Sequence, residues 1–520
     1  MFAGDFGKAL LLRAEGEIVE GRTGKRLAGA ELRMAGAAAA TYLSQAMGSS
    51  SGPVLMILEL TLESVIAYLG ALASGRPVVP VDVRDWQQKK ASLLEAVRPA
   101  GCWLPRRILP DNIELPANMN AVYGLPDIIG RGNDSSILGL HTVCSLEPGV
   151  RVMIPTSGST GRPSLVQVSD LNLFTNTLDI ISSQGLTCRD KALLCLPLSY
   201  CFGASVLHTH LWAGGSVVVD DRLMFPDKVL NVMESEGCTT FAGVPTTFLH
   251  LQNHSSVLRR RFPSLRLWLQ AGGHLAAPVV NAFRAAHSEA GFMVMYGQTE
   301  ATARIASFLV DSEYPAGCVG YPLPSLEVQI RTDSGDVCGA GIQGAIWIRG
   351  HSVCMGYLND PIREAERFVS GWLNTGDIGR LLPDGRLSIT GRSDGFIKVR
   401  GRRVSSQEVE DLVWKLFAAR SCACPVSDPA SGEVIGLILE PPPGDAGMAA
   451  NELSTDAKAE YRNSKPEVSP ELRQRLRAAL PPHWDLGPVV VAVLPITVNG
   501  KVDRMECRTR LLQVGEGPWN

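Results

Sequence analysis

The stretch Thr156-Ser157-Gly158-Ser159-Thr160-Gly161 follows a short apolar lead-in, Met153-Ile154-Pro155, and runs on into Arg162-Pro163-Ser164. Hydroxyls and glycines in this mixture can turn side-chain O–H and backbone N–H groups inward around an anion, because glycine lacks the Cβ that blocks close approach. No Gly-Lys-Ser/Thr follows the second glycine, so this is not a Walker A loop. A flexible Ser/Gly turn fits the same residues. A second polar group, Tyr296-Gly297-Gln298-Thr299-Glu300, also follows an apolar run. Taken alone, its Thr-Glu pair suits a helix N-terminus.

The elements that position such loops can be read from hydrophobic spacing. Gly21 to Gly24 makes the turn of a short hairpin, and an alanine-rich helix begins near Ala30. Val54 to Leu58 suits a buried strand, Leu62 to Ala73 has helical spacing, and Val78 to Val81 begins another strand after Gly75-Arg76-Pro77. Strand–helix–strand in this order predicts parallel α/β units. The pattern recurs with strands at Leu193 to Leu196, Ser216 to Val219, Thr239 to Val244, Leu265 to Leu269 and Phe292 to Met295, and helices at Ser205 to Trp212 and Val229 to Glu236. Residues Pro197 to Gly203 are expected as a loop. Strands that run into glycine or polar loops place those loops at the carboxyl ends of a sheet, where open α/β sheets bind ligands. After about Gly317 short alternating segments predict a compact β-rich region, and from Ser393 a small α+β domain. Pro441 to Pro466, rich in Pro, Gly, Ala and Ser, is expected as a surface insertion in that domain.

Composition bounds the function. At 520 residues the chain exceeds one compact core, so two or more domains are expected. With 45% hydrophobic and 19% charged residues it has the make-up of a folded soluble protein. A net charge of −3 gives no basic excess for a nucleic-acid partner. Glu59, Glu63 and Arg76 interrupt the greasiest region, so no transmembrane segment is expected. The twelve cysteines are scattered without metal-ligand spacing, and no signal-type segment opens the chain, which points to a reducing, cytoplasmic setting.

The ordered motifs resemble those of the adenylate-forming enzymes, namely acyl-CoA synthetases, peptide-synthetase adenylation domains and luciferases, over nearly the whole chain. The resemblance implies an α/β fold. A large multi-subdomain N-terminal domain (1–391) would carry strand–helix sheets and a β-rich region, and a small α+β lid (392–520) would pivot near Asp394. It also implies ATP and Mg²⁺ as cofactors, with transfer of a carboxylic acid to AMP and then to a thiol. Thr156, Ser157, Gly158, Ser159, Thr160 and Gly161 then correspond to the phosphate loop, whose usual Lys-Gly is replaced by Ser164-Leu165. Tyr296 would stack on adenine beside Gly297 and the Gly272-Gly273 turn. Thr299 would meet phosphate, and Glu300 would hold the metal, as a hard cation prefers carboxylate and phosphate oxygens. Asp377 would accept both ribose hydroxyls in a fork, with Arg392 at the ribose–phosphate side. Lys501, in Asn499-Gly500-Lys501, would bring an ammonium to the charge that builds at the α-phosphate. Lys398 stands where some relatives place a lysine for the second step, and a surface strand lysine fits it as well. Gly401 would let a pantetheine arm pass close to backbone.

The same resemblance assigns the acyl pocket to Tyr200, Cys201, Phe202, Met295 and Arg304. Amino-acid-activating relatives hold the substrate ammonium with an Asp, and Cys201 occupies that place. A thiol does not pair with a cation at neutral pH, which argues for an apolar acyl or aryl acid. Arg304 would meet a second polar group on the acid or serve as a structural arginine. The acceptor thiol is expected to be CoA, with carrier-protein phosphopantetheine as the rival and a non-catalytic nucleotide-binding homologue as a third possibility.

Overall fold

The computed structural model describes residues 4–48, 52–107, 115, 120–125, 149–156, 164–311, 314–315, 317–399, 402–417, 419–428, 432–440, 470–481, 484–498 and 500–513. The expected insertion at Pro441 to Pro466 and the loop residues Ser157 to Gly161 lie outside them, as does Gly401. The chain divides into two compact units. One comprises Met1–Gln329 with Trp347–Thr375, the other Ile330–Ile346 with Gly376–Asn520.

The first unit is built on two sheets. One places the strands Gly356–Leu358, Ser164–Ser169, Val150–Thr156, Val78–Asp82, Val54–Leu58, Gly101–Leu104 and Ala121–Tyr123 side by side. From Val150–Thr156 onward the pairs are parallel, while Val150–Thr156 meets Ser164–Ser169 as an antiparallel pair with Thr156 opposite Ser164. The second sheet runs in parallel through Gly291–Tyr296, Leu267–Gln270, Thr240–Gly243, Lys191–Leu194, Ser216–Val219 and Glu17–Glu20. The expected hairpin closes one edge, with Arg26–Ala28 antiparallel to Glu17–Glu20. Ala306–Leu309 turns back antiparallel on Gly291–Tyr296 at the other side.

These strands are near-continuous apolar runs because both faces are covered. The helix Leu62–Ala73 is buried at every residue but Glu63, which fits an element hydrophobic nearly all round. Its N-terminus is capped by Thr61, whose hydroxyl accepts from the Ser64 N–H. The expected α/β class and parallel units are found. Boundaries differ by a few residues, and one such shift bears on the site. The helix expected from Ser205 spans Cys201–Trp212, so Cys201 and Phe202 sit in a helical first turn and not in a loop. The Tyr200 N–H bonds to the Pro197 carbonyl and the Ala204 N–H to the Tyr200 carbonyl, closing that turn with backbone alone. No side chain caps it, so the usual sequence signal for a helix start is missing.

The second unit contains the hairpin arm Leu387–Arg392 and a sheet of Arg402–Ser405, Phe396–Val399, Gly432–Glu440 and Arg420–Asp428, with Leu486–Val491 parallel to Gly432–Glu440. Among the described residues its α-helices are Ser406–Phe417, Pro470–Ala479 and Arg504–Leu512. Val409, Val413, Ile435, Leu437 and Leu476 form its apolar centre, the α+β composition expected for this end of the chain. Among the described residues no helix is long and apolar enough to cross a membrane.

Candidate active site

In the first unit the strand Gly291–Tyr296 delivers Tyr296 to its end, and the chain then folds back on itself. A Cβ at Gly297 would lie 1.8 Å from the Ala303 carbonyl oxygen, so only glycine lets the segment cross there. Thr299–Ala301 forms a single 3-10 turn. Thr302 and Ala303 follow at φ 60° and 129°, two successive side-chain-bearing residues at positive φ. Such conformations persist only where surrounding bonds over-determine them. Here the Thr302 hydroxyl donates to the Ser352 carbonyl at 2.6 Å. The Asn176 amide donates to the Arg304 carbonyl at 2.9 Å and accepts from the Arg304 N–H at 3.2 Å.

Glu300 is buried in this turn. Its Oε1 accepts from the Tyr357 hydroxyl at 2.7 Å and lies 3.8 Å from Nη2 of Arg363. Burial, followed by the charge of Glu300, pushes the Tyr357 phenol well above its ordinary pKa, so it stays a donor. Oε2 of Glu300 has no donor among the described residues. A carboxylate with one oxygen anchored and one open suits an oxygen-seeking Mg²⁺ shared with phosphate. The Arg363 guanidinium lies 4.7 Å from the Tyr357 ring centroid, and its Nη1 donates to the Ser164 hydroxyl at 2.5 Å. Ser164 in turn donates to Asp360 at 3.2 Å, and its carbonyl accepts from the Thr156 hydroxyl at 3.1 Å. Arg367 braces the same turn, donating to Gln298 Oε1 and to the carbonyls of Asn374 and Thr375. Gly272, at φ 86°, turns the chain after the strand Leu267–Gln270. The Gly273 carbonyl accepts from the Gln270 amide at 2.8 Å.

The residues expected at the acyl group gather next to this turn. The Thr299 hydroxyl donates to Cys201 Sγ at 3.6 Å, joining the two motifs. Met295 is buried, with its sulfur accepting from Gln184 at 3.4 Å. Arg304 is 1% exposed. Its guanidinium lies 4.7 Å from the Phe202 ring centroid, its Nε has no hydrogen-bond partner, and no carboxylate pairs with it among the described residues. Burial holds its pKa down to about 10, with Cys201 and Tyr200 acting in the other direction. A small cavity beside Cys201 is lined by Tyr68, Asn176, Ser205, His208 and Thr302. It has room for roughly one water, not for an acid.

In the second unit Asp377 and Arg392 face each other across the hairpin, with Nη1 3.2 Å from Oδ1. The backbone of Asp394 lies in the 3-10 turn Ser393–Gly395, whose last carbonyl accepts from the Ser406 hydroxyl at 2.7 Å. Lys398 is exposed on Phe396–Val399, and its N–H donates to Glu433. Lys501 is exposed on a tight loop. Its carbonyl accepts from the Thr497 N–H at 2.7 Å, its N–H donates to the Thr497 hydroxyl, and Gly500 sits at φ 74°.

Residues 13–358 match the family described as AMP-binding enzyme. The chain belongs to that family. This AMP-binding enzyme is 28% identical to D-alanine--D-alanyl carrier protein ligase of Listeria welshimeri, covering 92% of this chain and 93% of the relative. It is 27% identical to surfactin synthase subunit 2 of Bacillus subtilis over 87% of its own length, which amounts to 12% of that much longer protein. In fold it is similar to ATP-bound MatB of Rhodopseudomonas palustris, with a TM-score of 0.82, 22% identity and coverage of 99% and 100% of the two chains. The fold is therefore that of the adenylate-forming enzymes. Sequence reasoning did not single out Tyr357, Arg363, Arg367 or Asn176. Asp360 and Pro361 open the helix Pro361–Arg367 with an N-cap residue and a proline at the first helical position, but nothing local to that signal reveals what Arg363 touches.

Proposed function

We propose that this AMP-binding enzyme uses ATP to activate a carboxylic acid with an apolar acyl or aryl body. Acyl-AMP and pyrophosphate form first, and a phosphopantetheine thiol then takes the acyl group as a thioester. The observation that carries the reading is the Glu300 turn: an anchored carboxylate with one open oxygen, joined through Thr299 to the Cys201–Phe202 helix start. The residues assigned to phosphate and to the acyl wall are thus in direct contact, as a transfer between phosphorus and a carboxylate requires. When bound, Mg²⁺ at Glu300 offsets the charge of the leaving pyrophosphate. Tyr296 and the Gly272-Gly273 turn are assigned to the base, Asp377 and Arg392 to the ribose, and Thr156 with Ser157, Gly158, Ser159, Thr160 and Gly161 to phosphate. Lys501 is assigned the charge at the α-phosphate and Lys398 the second step, with residues 392–520 acting as a lid about Asp394. A cytoplasmic setting goes with this chemistry, and every cysteine among the described residues is a free thiol.

An α-amino acid fits poorly, because Cys201 offers no anion and the nearby Arg304 would repel an ammonium. The buried, unpaired guanidinium favours an acid whose far end carries an anionic or strongly accepting group. For the acceptor, CoA is the first reading. A carrier protein is the second, supported by the similarity to the D-alanine--D-alanyl carrier protein ligase of Listeria, which is matched over nearly its full length. The test is pyrophosphate release across a panel of carboxylic acids, followed by mass spectrometry of the thioester formed with CoA or with a carrier protein. Acid-independent release, or none with any acid, would sink the proposal and leave a non-catalytic nucleotide-binding homologue.

A further inference from the structure

We infer that Arg363 is a phosphate-binding residue of this enzyme and supplies, from a helix distant in sequence, the cation that Ser164 does not provide. The inference rests on the reading of the chain as an ATP-using adenylate-forming enzyme.

The geometry is specific. Thr156 and Ser164 are opposite one another in the antiparallel pair, and the Thr156 hydroxyl ties to the Ser164 carbonyl. They therefore mark where the chain leaves and re-enters the sheet around the Ser/Gly stretch. Arg363 stands at that point. Its Nη1 holds the Ser164 hydroxyl, its Nη2 is 3.8 Å from Glu300, and Tyr357 lies under its guanidinium plane. Asp360 sets the backbone, accepting from the Arg363 N–H at 3.3 Å and from the Ser164 hydroxyl at 3.2 Å.

Arg363 is not consumed by these contacts. A separation of 3.8 Å from Glu300 is an ion pair without a close hydrogen bond, and the side chain remains 25% exposed. Of the five guanidinium N–H groups one is spent on Ser164, so an open edge is available. A planar fork of this kind matches two oxygens of a phosphate. The electrostatics require such a group. The polyphosphate is strongly anionic, and Glu300 adds a further negative charge on the same side. Among the described residues Arg363 is the cation placed against both Glu300 and the end of the loop strand. Arg367, the other arginine of this helix, has its guanidinium spread over Gln298 and two backbone carbonyls.

The experiment is calorimetric titration of the full-length protein with Mg·ATP and, separately, with AMP, for the wild type, Arg363→Met, Arg363→Lys and Arg363→Met combined with Ser164→Lys. Met keeps the stem against Tyr357 while removing the charge. AMP lacks the β- and γ-phosphates and serves as the internal control. Loss of a charge-assisted contact predicts about 10–100-fold weaker Mg·ATP binding for Arg363→Met, with AMP affinity within about 2-fold. Arg363→Lys should retain part of the affinity, and the double variant should recover at least part of what Arg363→Met loses. Equal losses for ATP and AMP with a lowered unfolding temperature would show a merely structural brace and overturn the inference, as would unchanged binding of both nucleotides. A wild type that binds neither nucleotide would instead refute the adenylation reading itself.

Discussion

Replacing Arg304 by Met should stabilise the unliganded protein while abolishing its activity on the acid it uses. The guanidinium is fully buried, and its pKa is held at about 10 against an ordinary 12.5. At about 1.4 kcal/mol per pKa unit, keeping it charged costs about 3 kcal/mol at neutral pH. The sign follows from the direction of the shift: the folded-state pKa is the lower one, so the cost is present below pH 10 and fades as pH rises beyond it. Removing the charge relieves that cost but forfeits the contact with Phe202, worth about 1–2 kcal/mol when desolvated. The net gain is about 1–2 kcal/mol, a rise of a few degrees in unfolding temperature. Strain and unpaired charge of this kind belong to a site pre-organised for a ligand. Thermal unfolding of both proteins, with and without candidate acids, supplies the assay, alongside pyrophosphate release. Acids with a distal anion should stabilise the wild type and not the variant, and their turnover should fall by about 100-fold or more. A variant that unfolds several degrees lower while keeping its acid preference would refute the reasoning. Arg304 would then be a structural residue whose contacts outweigh its burial.

Lys501→Ala should lower acid-dependent pyrophosphate release by about 100–1000-fold, as for loss of a single electrostatic stabiliser of a transition state, with the unfolding temperature unchanged because the side chain is exposed. Retention of full adenylation would remove Lys501 from the mechanism. Gly297→Ala should destabilise the first unit by about 2–4 kcal/mol, since its methyl group would overlap the Ala303 carbonyl; denaturant titration gives the value, and a neutral result would mean that the turn relaxes freely. Burial holds His210 down to about 4 and His208 to about 3. Both are therefore neutral in the fold while the unfolded chain takes up protons near 6.5, so stability should decline as pH falls below about 6.5, the His210 part down to about 4 and the His208 part down to about 3. His210 alone accounts for about 3 kcal/mol of that loss, and His210→Gln should make the profile between pH 6.5 and 4 shallower in urea titrations, leaving the slope due to His208.

Local spacing was enough to find the parallel strands, because runs such as Val54 to Leu58 are apolar on both faces and are bounded by Gly, Pro or polar turns. The stretch from Tyr296 to Glu300 was singled out by its resemblance to a family motif of contiguous residues, which is visible in one window. The early start of the helix at Cys201 was not visible, because backbone bonds alone close its first turn. Nor was the environment of Glu300. Tyr357 is 57 residues from it, and Arg363 is 199 residues from Ser164. Those contacts arise from strand pairing at the sheet edge, where Gly356–Leu358 lies against Ser164–Ser169. Pairing between distant segments leaves no periodicity in either. The burial of Arg304 was hidden for a different reason: a lone arginine after a polar motif carries no sign of which way a positive-φ backbone will turn it.

The turn at Thr302 and Ala303 ties two chemical duties into one inherited unit. Glu300, assigned to the nucleotide, and Arg304, assigned to the acid, are separated by residues held in an unusual backbone path through Asn176 and Ser352. A change that re-aims Arg304 toward a new acid by altering this path will also shift the carboxylate on the nucleotide side. Substrate range in this lineage is therefore easier to alter by exchanging side chains on the fixed scaffold, at Cys201, Phe202 or Met295, than by remodelling the turn. In laboratory evolution, libraries spanning residues 297–303 should lose ATP use before they acquire new acids, whereas libraries at 201, 202 and 295 should not.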